Sequence, residues 1–171
     1  MDNVNYNFDI ITLLYKARKE NQNDRRLNKP LLVLLVSVIE CMLYDFVVRI
    51  QTHTNDLIPN LPTTIIYYFR GIRETDELKV IIEKVRAQNL LRASGNDSIY
   101  DDLEVLRKVR NRVHIQNKYH LLERDESDVF TNTRIQLVEQ VLERVCGVLC
   151  NVYPRWDKQP LSMADFPRPW L

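Results

Sequence analysis

Glycine occurs at only three of 171 positions, Gly71, Gly95 and Gly147, and this shortage narrows the possible folds more than any other feature. The usual share is about 7%. Tight turns and two-residue hairpins draw on glycine because they need positive φ, so a hairpin-rich β fold is not expected. The three glycines also stand too far apart to build a phosphate-cradling loop. What remains is a chain of long uninterrupted segments, and their apolar spacing is helical.

Phe8, Ile11, Leu14, Tyr15 and Arg18 recur at a helical period from about Asn7 to Glu20. After a polar connection, Pro30 stands where a first turn tolerates proline, and Leu31 to about Gln51 is apolar almost all round. Such a helix is central and buried. His53 to Thr64, with Pro59 and Pro62, reads as a loop. Ile65-Ile66-Tyr67-Tyr68-Phe69 has strand-like composition but no second run to pair with, so it reads as buried helix or extended packing.

Three further helices follow: Thr75 to about Leu91, Ser98 to about Tyr119, and Asp128 to about Val152, the last closed by Pro154. The expectation is an all-α fold, an antiparallel bundle of four to five helices over residues 1–153, with an extended tail over 154–171. That tail carries Trp156, Phe166 and Trp170 among prolines, and docks either on the bundle or on a partner. At this length roughly two-thirds of the unfolded surface is buried on folding, so no metal staple or disulfide framework is required.

The net charge of +1 argues against coating nucleic acid by bulk charge. Cys41, Cys146 and Cys150 are odd in number and contain no CxxC pair, which fits a reducing, cytoplasmic setting. Cys146 and Cys150, one turn apart, read as small core residues. The start of the chain shows no signal-peptide pattern. The longest apolar run, Leu31 to Ile39, is shorter than the roughly 20 residues a bilayer requires, so no membrane partner is expected. His53, His114 and His120 are scattered, with no metal-ligand spacing, and neither a metal nor another cofactor is expected.

The informative segment is Leu106-Arg107-Lys108-Val109-Arg110-Asn111-Arg112-Val113-His114-Ile115-Gln116-Asn117. At about 100° per residue, Ile99, Leu103, Leu106 and Val113 form one apolar sector with Arg110 in its middle and His114 and Asn117 beside it. Arginine is rarely buried unpaired, so this face must meet an acid, an anion or another polar surface. Arg110 and His114 are one turn apart, and Arg107 shares their side. A guanidinium grips phosphate oxygens and an imidazole moves a proton near neutral pH. Together they suffice for metal-free cleavage of RNA by its own 2′-hydroxyl.

Ser37, Glu40 and Tyr44 share one face of the otherwise apolar second helix. A buried carboxylate needs a partner, and Arg107 or Arg110 is the expected one, either orienting a catalytic guanidinium or forming a structural ion pair. Arg107, Lys108, Arg110, Arg112 and Lys118 make a local basic stretch between acidic ones, either a solvated helix end or an RNA-backbone groove through Lys108, Arg112 and Lys118. Tyr67, Tyr68 and Phe69 read as core packing, with base stacking as the alternative.

The segment Leu106–His114, late in an all-helical chain of this size, resembles the Arg…His motif of the HEPN superfamily. That resemblance implies a compact helical bundle and a metal-independent endoribonuclease of the kind found in toxin–antitoxin, phage-defence and RNA-targeting CRISPR systems. It further implies a composite site at a homodimer interface, RNA as substrate, and a cognate antitoxin or regulatory protein as partner. Arg110 would bind phosphate and stabilise the transition state, Asn111 would be its polar neighbour and His114 the general base or acid; Glu40 and Asn117, from the helix-face reading above, would support them. The family spacing of four to six residues between Arg and His is met by Arg107, which encloses six, whereas Arg110 encloses three and has the Asn that commonly follows. Both arginines are therefore candidates. The alternatives are a non-catalytic HEPN-like dimerisation or RNA-binding module, and a helical adaptor acting through its C-terminal tail.

Overall fold

Phe8, Ile11 and Tyr15 bury one face of the first helix, α1 (Asp2–Glu20), in a computed structural model that describes residues 2–22, 24–52, 58, 61–70, 77–95, 97–112, 125–154 and 168–171. A 3₁₀ turn at Arg25–Leu27, capped by the Asp24 carboxylate on the Arg26 N–H, leads into α2 (Asn28–Thr52), which carries Pro30 in its first turn. α3 (Thr63–Phe69), α4 (Leu78–Ala87), α5 (Ile99–Asn111), the short α6 (Glu126–Val129) and α7 (Asn132–Asn151) complete the set. No strand occurs among the described residues. The all-α expectation holds.

α2 is the axis. Leu31, Leu32, Leu35, Val36, Val38, Ile39, Leu43, Phe46, Val47 and Ile50 are buried, and α1, α3, α4, α5 and α7 all pack on this helix, α7 most extensively. It is not enclosed all round: Val33, Leu34, Ser37, Glu40, Tyr44 and Val48 are only half-buried and Cys41 is exposed. With the 3₁₀ turn, the helical stretch Arg25–Thr52 is long and apolar enough by length and composition to cross a membrane, although half of its most apolar window is buried inside the structure. The apolar run Leu31–Ile39 stops at Glu40, but the helix does not.

Among the described residues, positive φ occurs without glycine, at Gln22, Asn89 and Arg92. Asn89 sits at φ 45° just after α4, where its N–H bonds to the Arg86 carbonyl and the Leu90 N–H reaches back to the Val85 carbonyl at 3.0 Å. This is the paired closure of a Schellman turn, sealed by Leu90 packing in the core with Val85. Asn tolerates the left-handed region better than most residues.

Boundaries differ from expectation: α1 starts at Asp2, not near Asn7, and α4 runs Leu78–Ala87, short of the expected Thr75 to Leu91. The last long helix starts at Asn132 instead of Asp128, because the chain breaks at Phe130 and Thr131. The wholly buried Asn28 amide donates to the Phe130 carbonyl and to the Asn132 Oδ1, both at 2.9 Å, and the Thr131 hydroxyl caps the Arg134 N–H at 3.2 Å. The tail's end returns to the bundle: Trp170 packs its ring 5.9 Å from that of Tyr15 and donates its indole N–H to Glu143 at 2.9 Å. Trp156 and Phe166 lie outside the described residues.

Candidate functional site

α5 starts with Asp101 and Asp102 and finishes with Lys108 and Arg110, charges that suit the two ends of its dipole. Ile99, Tyr100, Leu103, Leu106 and Val109 fix it to the core, and this registers Arg107 and Arg110 towards α2 and α4. It stops at Asn111. Arg112 adopts φ −79° and ψ 18°, and its N–H bonds to the Val109 carbonyl at 3.1 Å in a tightened final turn. Of the helix expected from Ser98 to about Tyr119, α5 accounts for Ile99–Asn111, and the part after Arg112 lies outside the described residues. His114, Asn117 and Lys118 lie outside the described residues, as do His53 and His120.

Where α2, α4 and α5 converge, Glu40, Glu77, Leu78, Lys79, Arg107, Arg110 and Asn111 line a groove of about 200 Å³. Arg110 is its central cation. One Nη donates to Glu40 Oε2 of α2 at 2.9 Å and the other to the Asn111 Oδ1 at 3.3 Å. The Arg110 and Glu40 side chains stay 35% and 28% exposed, so the pair is reachable from solvent. At that exposure an ion pair contributes no more than about 1 kcal/mol to stability, and its effect is to aim the guanidinium. Arg107 is held differently: its Nε and an Nη both donate to Glu104 Oε2, at 3.1 and 2.9 Å, within α5 itself.

Of the residues singled out from sequence, Glu40, Arg107, Arg110 and Asn111 thus come together. Lys108 is exposed, whereas Arg112 is buried, so the basic stretch does not present one continuous face. Glu77, the N-cap of α4, and Lys79 in its first turn stand at the lip of the groove. No periodicity signals this, because it depends on where α4 meets α5. Among the described residues no group of three or more His, Cys, Asp or Glu side chains is placed to hold a metal ion. Chemically, the groove offers a half-exposed guanidinium that a carboxylate orients and that an anion can approach.

Outside the groove, one nucleophile is perturbed. Cys146 and Cys150 on α7 have their sulfurs 3.7 Å apart. The Cys146 S–H, with help from the positive charge of Arg49, pulls the Cys150 thiol down to about 7, while that same bond and burial push Cys146 up. Because the thiolate is the reactive form, iodoacetamide labelling of Cys150 should climb from about pH 6 to about pH 8, with Cys146 resistant throughout. Peptide mapping by mass spectrometry checks this, and faster labelling of Cys146 than of Cys150 contradicts it.

No family model, no curated protein and no solved structure matches the chain.

Proposed function

We propose that the chain is a metal-independent endoribonuclease of HEPN type, acting on single-stranded RNA as a homodimer in a reducing, cytoplasmic setting. The observation that carries this reading is Arg110, a guanidinium oriented by Glu40 from a second helix and left half-exposed in a groove, beside Asn111 and four residues before the end of the Arg…His segment at His114. In this reading Arg110 binds the scissile phosphate and His114 takes the proton of the RNA 2′-hydroxyl. The 2′-oxygen bonds to phosphorus as the bond from phosphorus to the 5′-oxygen breaks, leaving a cyclic phosphate, and the departing oxygen takes up a proton. The half-buried stripe of α2 beside Glu40, with Val33, Leu34 and Tyr44 on it, is the surface on which a second copy would pack to make the site composite. An activity of this kind implies restraint by a cognate antitoxin or regulatory protein.

The test is RNA cleavage in EDTA by purified protein. Wild type should release cyclic-phosphate ends, and His114→Ala should lose activity by about 10²-fold or more with an unchanged melting temperature. Equal cleavage by the variant would sink the proposal. The rival is a non-catalytic dimerisation or RNA-binding module, favoured by the fact that Glu40 already neutralises Arg110. It predicts RNA binding without cleavage.

A further inference from the structure

α3 is only seven residues long, yet it turns two of its three aromatic rings outward. Ile66 and Phe69, at i and i+3, fill the core side, and Tyr67 and Tyr68 are left 59% and 41% exposed. This departs from the expectation of core packing for all three aromatics, which holds for Phe69 alone. Each exposed ring has a cation over it: the Arg70 guanidinium carbon lies 4.2 Å from the Tyr67 centroid, and the Lys84 Nζ lies 5.4 Å from that of Tyr68. We propose that Tyr67 and Tyr68, flanked by Arg70 and Lys84, form a stacking platform for the bases of single-stranded RNA beside the groove of α2, α4 and α5. This rests on the RNA reading above.

Three observations favour RNA as the occupant. Aromatic faces interleaved with cations are how proteins hold unpaired bases and the phosphates between them. Adjacent helical side chains point about 100° apart, so the two rings suit two splayed bases and not one sandwiched base. The platform also shares α4 with the groove: Lys84 lies seven residues after Glu77 at the groove's lip, about 10 Å along the axis. About three stacked nucleotides at roughly 3.4 Å each cover that distance. The nearby acid Glu83 is engaged by Lys79 at 3.7 Å.

Binding is measured by fluorescence anisotropy with the full chain and a labelled 2′-O-methyl oligouridine, which lacks the free 2′-hydroxyl and so cannot be cut. Replacing both rings (Tyr67→Ala with Tyr68→Ala) should weaken binding by at least about tenfold. The ring-preserving pair Tyr67→Phe with Tyr68→Phe should stay within about twofold of wild type, since stacking uses the ring face and not the hydroxyl. If wild type binds and the alanine pair binds equally well, the platform falls while the RNA reading stands. If the phenylalanine pair loses as much as the alanine pair, the platform falls too. A change confined to sedimentation behaviour would mark the face as a protein contact and overturn the proposal. If wild type does not bind at all, both readings fail.

Discussion

Arg110→Ala is expected to slow RNA cleavage by about 10²–10³-fold, the loss typical of removing a donor aimed at developing negative charge, whereas Arg107→Ala should cost less than about tenfold. The two arginines sit one turn apart on α5, but their surroundings assign them different work. Arg107 gives Nε and an Nη to Glu104 of its own helix, and its side chain is only 15% exposed, so it staples a turn. Arg110 reaches across to Glu40 on α2 and keeps further donor capacity beside the groove. A lysine at 110 should not rescue activity, because a single ammonium cannot replace the planar fork. Single-turnover rates in EDTA for the three variants, each with its melting temperature, decide the assignment. The reverse ranking would make Arg107, at its six-residue spacing from His114, the working arginine.

That Glu40 pairs with an arginine of α5 is legible because a carboxylate in an otherwise apolar helix has few ways to be satisfied; that the partner is Arg110 and not Arg107 depends on where α2 and α5 meet. The all-α class followed from periodicity and the lack of glycine. Other features depend on tertiary contacts that no local pattern contains. Asn28 looks like an ordinary polar residue near a helix start, yet its buried amide fixes the break between α6 and α7 from across the bundle. Tyr67 and Tyr68 belong to an apolar run whose composition predicts burial. Only once the run is helical does the 100° step send Ile66 and Phe69 inward and the tyrosines outward. The groove's α4 side was hidden for a related reason: the α4 pattern marks Glu77 and Lys79 as polar but not which neighbour they face.

Phe46→Ala should destabilise the fold by about 3–5 kcal/mol, the range for emptying a large aromatic site in a packed core. Its ring is fully buried on α2, packed 4.9 Å from the ring of Tyr153 at the end of α7, with the Arg49 guanidinium carbon 5.5 Å away. That places it in the most extensive helix–helix contact among the described residues. Relaxation cannot fill the cavity readily, because Arg49 is tied at the same point, donating to the Tyr153 carbonyl at 3.2 Å and pairing with Asp45 at 3.3 Å. For a domain of this size the melting temperature should fall by on the order of 10 °C, read by thermal and urea unfolding. Phe46 lies about 120° around α2 from Glu40, on the side away from the groove. Its loss should therefore lower the folded fraction and leave the cleavage rate of the folded fraction near wild type well below the new midpoint. A rate that stays depressed there would mean that α7 packing, transmitted through α2, sets the position of Glu40 and hence the aim of Arg110.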